Sequence, residues 1–403
     1  MNAHRGEPGE DIRAAVHTAH ATGRVNAPAA VVDLTAFTAN AELLRTCAAG
    51  RLIRVATKSV RCRPLLERTL ALPGFAGLMA FSLAEALWLA DSPDSTFHDV
   101  LVAYPSTDRT AWARLTSSAT AAQRITVMID DENQLGDTTD TAAPVQICLD
   151  VDASLRIGPA HLGARRSPLR TPEQVVALAR RVATRPGCQV AGLMFYDAQI
   201  AGLPDRSMAV RAVKALSDRE LRMRRGEVVA AVAAELERLG VPPLRLVNGG
   251  GSGSLRVTGA DPCLTEVAAG SGLYAPTAFD GYRGWSPRPA LFVVVPVVRR
   301  PAPGMVTVFG GGYVASGAAG RSRLPRPVWP TGLRLTAAEG AGEVQTPLRV
   351  ARGAHIPQVG ELVWLRPTKA GEPLERFGQV SLVEGGRWHG MVPTYRGEGR
   401  SFG

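Results

Sequence analysis

Short apolar runs alternate with stretches of helical periodicity between residues 50 and 285. Apolar runs of about four to eight residues predict buried strands, and apolar residues spaced by three and four predict amphipathic helices. Helices are predicted at Ser82–Leu89, Pro172–Ala183 and Asp218–Leu239. The predicted strands are Leu52–Lys58, Gly77–Phe81, Val100–Tyr104, Ile125–Ile129, Val145–Val151, Gln189–Tyr196, Leu244–Asn248 and Leu264–Gly270. Eight strand–helix units of this size predict an α/β fold, a (β/α)8 TIM-type barrel.

The pattern changes after residue 285, where helical periodicity nearly disappears and Gly/Pro turns separate short apolar runs. These runs are predicted strands: Leu291–Val298, Met305–Phe309, Gly332–Leu335, Gly360–Leu365 and Phe377–Val383. We therefore predict a barrel at residues 29–285 and a C-terminal β domain at residues 286–403. Residues 1–28 form a polar N-terminal segment with a short predicted helix at Asp11–Ala21, and the β domain is a surface on which it could pack.

Composition narrows the functional classes. The 403 residues are 45% hydrophobic and 20% charged, which is typical of a globular protein with one large and one smaller domain. The net charge of +10 is scattered, without zinc-finger spacing or a lysine-rich arm, so we expect no nucleic-acid partner. Five widely spaced cysteines argue against a disulfide framework and favour a reducing cytoplasmic location. No signal peptide or membrane span is predicted, and no membrane partner is expected.

Lysine is rare in this chain. Only Lys58, Lys214 and Lys369 are lysines among 46 basic side chains. Arginine stays protonated and cannot form an imine, so a retained lysine is a candidate for covalent chemistry. Lys58 ends the first predicted barrel strand, and barrels place catalytic groups at the carboxyl ends of their strands. The alternative is an ordinary solvated lysine, which is the interpretation favoured for Lys214.

Two turns rich in small residues follow the seventh and eighth predicted strands. Barrel enzymes often bind phosphate there, because backbone amides of glycine can approach an anion without a Cβ. Each turn alone is more often a plain turn, but both together with Lys58 predict pyridoxal 5'-phosphate: an aldehyde for the amine and a phosphate for the turns. The predicted cofactor-binding residues in the turns are Asn248, Gly249, Gly250, Gly251, Ser252, Gly270 and Ser271.

Several stretches carry a resemblance to a known family: Ala29–Leu34, Arg54–Arg61, Leu101–Pro105, Gly192–Gly202, Gly340–Pro347, Lys369–Glu372 and Pro393–Gly399. On these, about residues 25–403 resemble the fold-type III pyridoxal-phosphate enzymes, in the D-threonine aldolase / D-serine dehydratase-like branch labelled amino acid deaminase/aldolase, with an alanine racemase-like barrel. The resemblance implies a barrel followed by a β domain, an internal aldimine on Lys58, and a homodimer with active sites near the subunit interface.

The resemblance also implies roles for individual residues. Tyr196 ends the sixth predicted strand, where the family places a ring against the cofactor; a buried core tyrosine is the alternative. Arg156 lies near a position that related racemases use close to the substrate carboxylate. Its spacing from Asp152 is one residue shorter than in those racemases, so a surface ion pair is equally expected. The position that faces the pyridine nitrogen matches Ala268, which leaves that nitrogen without a charged partner.

The chain departs from its relatives at the expected metal site. Aldolases and dehydratases of this branch commonly hold a divalent ion with a His-x-Cys or His-x-Asp pair in the C-terminal domain. The matching stretch, Trp364–Glu372, has neither histidine nor cysteine, and neither His355 nor His389 has a partner at ligand spacing. We therefore expect no tightly bound transition metal. Lys369 is a hypothetical source of positive charge where the ion would be.

These observations favour a pyridoxal-phosphate-dependent lyase, an aldolase or dehydratase/deaminase, acting on a β-hydroxy-α-amino acid of D configuration. Lys58, Tyr196 and Lys369 are the predicted catalytic residues, and Arg156 and Tyr313 the predicted substrate-binding residues. The first alternative is an amino-acid racemase or epimerase, which would need a second base such as Tyr313. The second is a non-catalytic cofactor-binding protein, but the 118-residue region 286–403 argues against it.

Overall fold

The computed structural model describes residues 6–92 and 94–402, so residues 1–5 of the predicted N-terminal segment lie outside the described residues. The strands are β1 Ala29–Asp33, β2 Leu52–Ala56, β3 Phe75–Ala80, β4 Val100–Val102, β5 Ile125–Ile129, β6 Val145–Asp150, β7 Leu155–Ile157, β8 Ala160–Leu162, β9 Cys188–Phe195, β10 Leu246–Gly249, β11 Glu266–Ala269, β12 Leu291–Ala302, β13 Met305–Phe309, β14 Arg326–Trp329, β15 Leu333–Leu335, β16 Gln345–Val350, β17 Leu362–Arg366, β18 Gln379–Glu384 and β19 Arg387–Pro393.

The α-helices within the same residues are α1 Glu10–Ala21, α2 Leu34–Cys47, α3 Arg63–Leu70, α4 Leu83–Ala90, α5 Arg109–Ser117, α6 Ala119–Arg124, α7 Pro172–Ala183, α8 Ala198–Ala201, α9 Met208–Arg238, α10 Leu255–Thr258 and α11 Ser271–Tyr274. The predicted helix Pro172–Ala183 is α7, which begins with a Thr171 capping box and a first-turn proline. Helix α9 begins at Met208 rather than at the predicted Asp218. Its N-cap is Ser207, whose hydroxyl accepts a hydrogen bond from Val210 N at 3.2 Å. Across the described part of the chain, helices with the length and apolarity to span a bilayer are absent.

The described residues divide into two compact units. One, the barrel unit, comprises residues 44–57, 66–92, 94–270 and 402. The other, the strand-rich unit, comprises residues 6–43, 58–65 and 271–401. The sequence-based boundaries at residues 28 and 285 stay a prediction.

The barrel unit contains a closed barrel of eight parallel strands in the order β10-β11-β2-β3-β4-β5-β6-β9. All eight strands predicted from the apolar runs are present, and the (β/α)8 fold is confirmed. Their ends differ from the prediction by a few residues. The first strand, for example, stops at Ala56, because Thr57–Ser59 turn into a short 3-10 helix that carries Lys58.

The barrel is filled by side chains from alternate strand positions. Its buried interior cluster contains Met79, Leu101, Ala103, Met128, Cys148, Met194, Leu246 and Ala268, with Tyr104 packed against it. Side chains along a strand alternate between faces, so residues two further along point the same way. Two residues beyond Met128, Cys148 and Met194 are Asp130, Asp150 and Tyr196. Asp150, the last residue of β6, therefore shares the interior face, and Asp130 and Tyr196 lie just beyond the ends of β5 and β9.

The strand-rich unit is built on a nine-stranded sheet. Its main path runs β15-β16-β13-β12-β1-β18-β19, and β17 pairs with both β12 and β14. The predicted C-terminal strand-rich domain is confirmed, although β14, β16 and β19 lie where no strand was predicted. Strand β1, from the N-terminal part of the chain, pairs antiparallel with β12 and parallel with β18. Helix α1 buries Ile12 and Val16 against Phe292 and Trp364 of this unit.

Candidate active site

The two Gly-rich turns of the barrel unit lie against each other. Gly270 N, just after β11, donates a hydrogen bond to Ser252 Oγ at 3.2 Å. Gly250 has φ +81°, and a Cβ there would come within 3.0 Å of Thr258 Cγ2. This conformation favours glycine, because L side chains rarely adopt positive φ. The fold thus brings together two turns that are 18 residues apart in the chain.

Asp197 anchors the first of these turns. Its carboxylate accepts hydrogen bonds from Ser254 Oγ at 3.1 Å and from Thr258 Oγ1 at 3.0 Å. Ser254 Oγ in turn accepts a hydrogen bond from Gly251 N at 3.1 Å. Burial raises the pKa of Asp197 to about 6, although the Arg225 charge and the two hydroxyl groups lower it. Asp197 was not predicted from the sequence, where its one signal is its position directly after Tyr196.

The ring of Tyr196 borders the same turn. A Cβ added at Gly251 would lie 3.6 Å from Tyr196 Cε2 and 3.1 Å from the Cβ of Ala201. Burial raises the pKa of the Tyr196 hydroxyl, and the neighbouring Asp197 charge adds to this effect. A half-buried aromatic face beside a glycine turn forms a cradle that fits a planar ring carrying a phosphate. These residues are therefore compatible with pyridoxal phosphate.

Asn248 differs from the rest of its turn. Its side chain is fully buried, and Nδ2 donates a hydrogen bond to Glu266 Oε1 at 2.7 Å. Among the described residues, no group donates a hydrogen bond to Asn248 Oδ1. The side-chain amide is therefore held by a carboxylate inside the barrel, which competes with its predicted role in cofactor binding.

Arg166 lies over two aromatic rings at this end of the barrel. Its guanidinium carbon lies 5.2 Å from the ring centroid of Tyr196 and 5.4 Å from that of Tyr104. Arg156 instead forms an ion pair with Asp152 at 2.7 Å, and 44% of its side chain is exposed. The predicted role of Arg156 in substrate binding stays a prediction. Arg166 was not predicted from the sequence, because it lies in a polar loop after β8 with no motif around it.

Two buried carboxyl groups lie at the adjacent ends of β5 and β6. Ile129 pairs with Leu149, so the residues that follow, Asp130 and Asp150, are neighbours across the sheet. Asp130 Oδ1 accepts a hydrogen bond from Gln134 Nε2 at 2.6 Å. Burial raises the pKa of Asp150 to about 7, the Asp130 and Asp152 charges add to this effect, and the Arg166 charge opposes it. Neither residue was identified from the sequence.

Lys58 belongs to the strand-rich unit and is the second residue after β2 along the chain. Its side chain is exposed, and its carbonyl oxygen accepts a hydrogen bond from Arg61 Nε at 3.2 Å. Arg61 also forms an ion pair with Glu375. A Cβ at Gly371 would overlap the Lys58 carbonyl oxygen, so glycine is required at that contact. The Lys58 backbone is thus packed against the Lys369–Glu372 stretch.

Lys369 and Tyr313, also in the strand-rich unit, have partners of their own. Lys369 Nζ donates a hydrogen bond to Ser316 Oγ at 2.6 Å and forms an ion pair with Glu372 at 3.1 Å. The Tyr313 ring packs on Phe377 with centroids 5.4 Å apart. Burial raises the pKa of Tyr313 to about 12. The catalytic role of Lys369 and the substrate role of Tyr313 stay predictions.

Potential metal ligands are scattered. In residues 6–92 and 94–402, no three His, Cys, Asp or Glu side chains are grouped so that they could hold a metal ion. His355 Nε2 lies 3.0 Å from Glu361, and Glu372 is engaged by Ser316 and Lys369. That the protein holds no tightly bound transition metal stays a prediction.

Comparison with known proteins gives one family match. The profile of the family described as "Alanine racemase, N-terminal domain" matches residues 32–277. A search of curated protein sequences returned no match.

Several solved structures share the fold. A D-threonine aldolase from Filomicrobium marinum is 23% identical, over 92% of this chain and 94% of that chain, with a TM-score of 0.72. D-threo-3-hydroxyaspartate dehydratase from Delftia sp. HT23 is 18% identical, over 92% and 97%, with a TM-score of 0.68. An alanine racemase-like protein from Idiomarina loihiensis is 14% identical, over 93% and 98%, also with a TM-score of 0.68. At these identities the likeness establishes the fold alone.

Proposed function

The chain belongs to the family of the alanine racemase N-terminal domain, and on that premise we propose that it is a pyridoxal-phosphate-dependent lyase for a β-hydroxy-α-amino acid of D configuration. The observation that carries the proposal is the cradle formed by the Tyr196 ring and the linked turns at Gly250–Ser252 and Gly270. Two of the similar solved structures are named for an aldolase and a dehydratase of β-hydroxy D-amino acids.

In this proposal the Lys58 amine holds the cofactor aldehyde. The turn that leads into Lys58 is anchored by Thr57, whose Oγ1 donates a hydrogen bond to Met79 O at 3.0 Å. Backbone amides of Gly249–Ser252, Gly270 and Ser271 would hold the phosphate. When bound, pyridoxal phosphate supplies an electron sink for the bond that breaks at Cα.

A cation is also needed for the substrate carboxylate. Arg166 is the better-supported choice, because it lies over the Tyr196 ring beside the turn that would hold the phosphate. Arg156 remains the alternative implied by the resemblance, although Asp152 already neutralises it. Guanidinium groups recognise carboxylates through two parallel hydrogen bonds, which would fix the orientation of Cα.

The racemase alternative has less support. It requires a second base, and Tyr313, with its pKa raised to about 12, is protonated near neutral pH. A phenol in that state can deliver the proton to Cα in one direction of racemisation, but it must ionise before it can take the proton in the other direction. The lyase proposal needs no such base.

Chemical trapping tests the cofactor assignment. Purified protein supplied with pyridoxal phosphate should be reduced with borohydride, digested and analysed by mass spectrometry. The label should lie on the peptide that contains Lys58, and Lys58→Ala should abolish it. Lys214→Ala is the matched control and should leave it unchanged, because Lys214 is engaged by Asp205 at 2.7 Å. Label on Lys214 or Lys369, or none, would contradict the proposal.

A substrate screen then tests the reaction. D and L forms of serine and threonine should be incubated with the loaded protein, and aldehyde, keto acid and inversion of configuration scored separately. Aldehyde or keto acid from the D substrates supports the lyase. Inversion without either product would instead identify a racemase.

A further inference from the structure

Asp150 is a buried carboxyl group at the carboxyl ends of the barrel strands, and its surroundings differ from those of its neighbours. It is the last residue of β6 and, two positions beyond Cys148, shares the face of the strand that lines the barrel interior. It is 9% exposed. Among the described residues, none donates a hydrogen bond to its carboxylate. Neither of its oxygens is among the fully enclosed, unpaired polar atoms of the described residues, so solvent or a hydroxyl group of a ligand can reach the carboxylate.

The contrast with Asp152 shows that this is a local feature. Asp152 accepts hydrogen bonds from Ser154 N at 3.0 Å, Ser154 Oγ at 2.8 Å and Arg156 at 2.7 Å. Burial alone would raise the pKa of Asp152, but these donors and the Arg156 charge lower it. The pKa values of two carboxyl groups separated by one residue are therefore shifted in opposite directions.

Charged and titratable groups from several elements face Asp150. Asp130 approaches from the end of β5, Cys148 and Asp152 lie on or just beyond its own strand, and Arg166 comes from the loop after β8. The negative neighbours disfavour ionisation and Arg166 favours it. With a pKa of about 7, both protonation states of Asp150 are populated near neutral pH. Carboxyl groups tuned in this way are matched to proton transfer.

Other groups that could handle a substrate hydroxyl are already engaged. Asp130 is bonded to Gln134, and Asp197 to the hydroxyl groups of Ser254 and Thr258. Lys369 is neutralised by Glu372. Asp150 is the carboxyl group in this set that accepts no hydrogen bond from a side chain among the described residues.

We propose that Asp150 is the catalytic acid–base group that exchanges a proton with the β-hydroxyl of the amino-acid substrate, a role that rests on the proposed lyase function. In cleavage, ionised Asp150 takes the O–H proton, a C=O bond forms at Cβ, and the aldehyde leaves. The electron pair of the Cα–Cβ bond stays on Cα. In dehydration, a base takes the Cα proton and the C–H electron pair forms a Cα=Cβ bond. The hydroxyl leaves with the C–O electron pair and takes the proton of neutral Asp150 to form water.

The two branches predict opposite pH dependence. Cleavage requires ionised Asp150, so kcat/KM should rise as the pH increases through about 7. Dehydration requires the protonated form, so kcat/KM should fall over the same range. We call this change of kcat/KM near pH 7 the limb of the pH profile. Its direction in the wild type, rising or falling, therefore distinguishes cleavage from dehydration.

Asp150→Asn tests the assignment, because it keeps the shape and removes the titration. We expect kcat/KM for the β-hydroxy substrate to fall by about 100-fold or more, since general acid–base catalysis contributes about 10²–10⁴-fold. The limb near pH 7 should disappear. Cofactor affinity and absorbance should match the wild type. Exchange of the Cα hydrogen of glycine with D₂O, followed by NMR, should also persist, because glycine has no β-hydroxyl group.

Asp130→Asn is the matched acidic control. It removes a neighbouring negative charge and should shift the limb to lower pH while the limb itself remains. Asp150→Glu keeps a carboxyl group and should recover part of the activity together with a limb. Asp150→Glu also keeps the test valid if Asp150→Asn folds poorly.

The outcomes separate failure of this proposal from failure of the proposed function. If the wild type cleaves or dehydrates its substrate and Asp150→Asn is equally active, the role of Asp150 alone is overturned. The same conclusion follows if Asp150→Asn keeps the limb near pH 7. Equal loss of glycine exchange and lyase activity in Asp150→Asn also overturns it, because a positional role would then explain both. A wild-type protein that exchanges glycine but acts on no β-hydroxy amino acid overturns the lyase function, and the role of Asp150 with it.

Discussion

The two ends of the barrel both bury charge but treat it differently. Near the amino end, Arg54 is 1% exposed, and it donates hydrogen bonds to Glu266 at 2.6 Å and to Asp99 at 2.8 Å. At the carboxyl end, Asp150 is 9% exposed and accepts no hydrogen bond from a side chain among the described residues. The first arrangement pairs the buried charge within the protein, whereas the second leaves a carboxyl group that solvent or a ligand can reach. Barrels commonly separate stability and activity between their two ends in this way.

The pKa directions follow from the same difference. Burial opposes the charge of Arg54, but the adjacent Glu266 and Asp99 carboxylates raise its pKa, so it stays ionised. Burial would raise the pKa of Asp99, but Arg54 and Arg245 lower it. Asp150 has only the opposing Arg166 charge, and burial prevails. Titration near neutral pH is therefore expected at the carboxyl end rather than at the amino end.

Arg54→Met should give the largest change in stability. It leaves Glu266 buried without its cation, and breaking a buried pair in this way costs about 3–5 kcal/mol. Urea denaturation should show this loss in the free energy of unfolding. Arg245→Met, at an arginine with 48% of its side chain exposed, is the control and should cost less than about 1 kcal/mol. Equal effects of the two changes would show that burial does not distinguish these pairs.

The stability of the wild type relative to Asp150→Asn should depend on pH. The folded-state pKa of Asp150 is about 7, above the unfolded value of about 3.9, so the native state binds the extra proton between them. The contribution of Asp150 is therefore favourable at low pH and is lost as pH rises, by as much as about 4 kcal/mol. Denaturation at pH 5 and pH 8 should show about 2.5 kcal/mol of this change, because the unfolded chain is already ionised at pH 5. A constant difference between the two proteins would refute the raised pKa.

Gly250→Ala should weaken binding of pyridoxal phosphate by about tenfold, equivalent to about 1.4 kcal/mol. The added Cβ would approach Thr258 and disturb the turn that holds the phosphate. Gly240→Ala is the matched control, because Gly240 also has positive φ (+66°) but has open space around it. Both changes should cost similar backbone strain, while only Gly250→Ala should alter affinity in a spectrophotometric titration. Unchanged affinity would place the phosphate elsewhere.

Lys369→Met should have the smallest effect. Glu372 already neutralises the ammonium group, so we expect lyase turnover to fall by less than about fivefold. Lys214→Met, which removes a comparable ion pair with Asp205, is the control. A loss as large as that of Asp150→Asn would transfer the β-oxygen role to Lys369.

Extended chelation tests the metal prediction in the same assay and should leave turnover nearly unchanged. Inactivation by the chelator, with recovery on adding a divalent ion, would reveal a metal site. Glu372, Glu375 and His355 would then be the first ligands to replace.

The sequence by itself determined the barrel and the strand-rich region. Both depend on local patterns: apolar runs at strand spacing, helices between them, and Gly/Pro turns. It also pointed to Lys58 as a candidate, because lysine is rare in the chain, and the role of Lys58 stays a prediction. The two glycine turns were predicted from their composition, and the positive φ of Gly250 agrees with that residue type. Strands such as β14 and β19 were missed, since their sheet partners rather than their own patterns stabilise them.

Only the tertiary structure decided which polar side chains meet at the strand ends. Asp130 and Asp150 are neighbours because β5 pairs with β6, and Arg166 reaches the Tyr196 ring from a loop without any motif. The same holds for Asn248, whose amide is held by Glu266 across β10 and β11. Burial and hydrogen-bond partners set the pKa of a carboxyl group, and both are properties of the folded surroundings rather than of the residue type. Asp150 and Asp152 are both aspartates, and their pKa values differ because the fold places different groups around them.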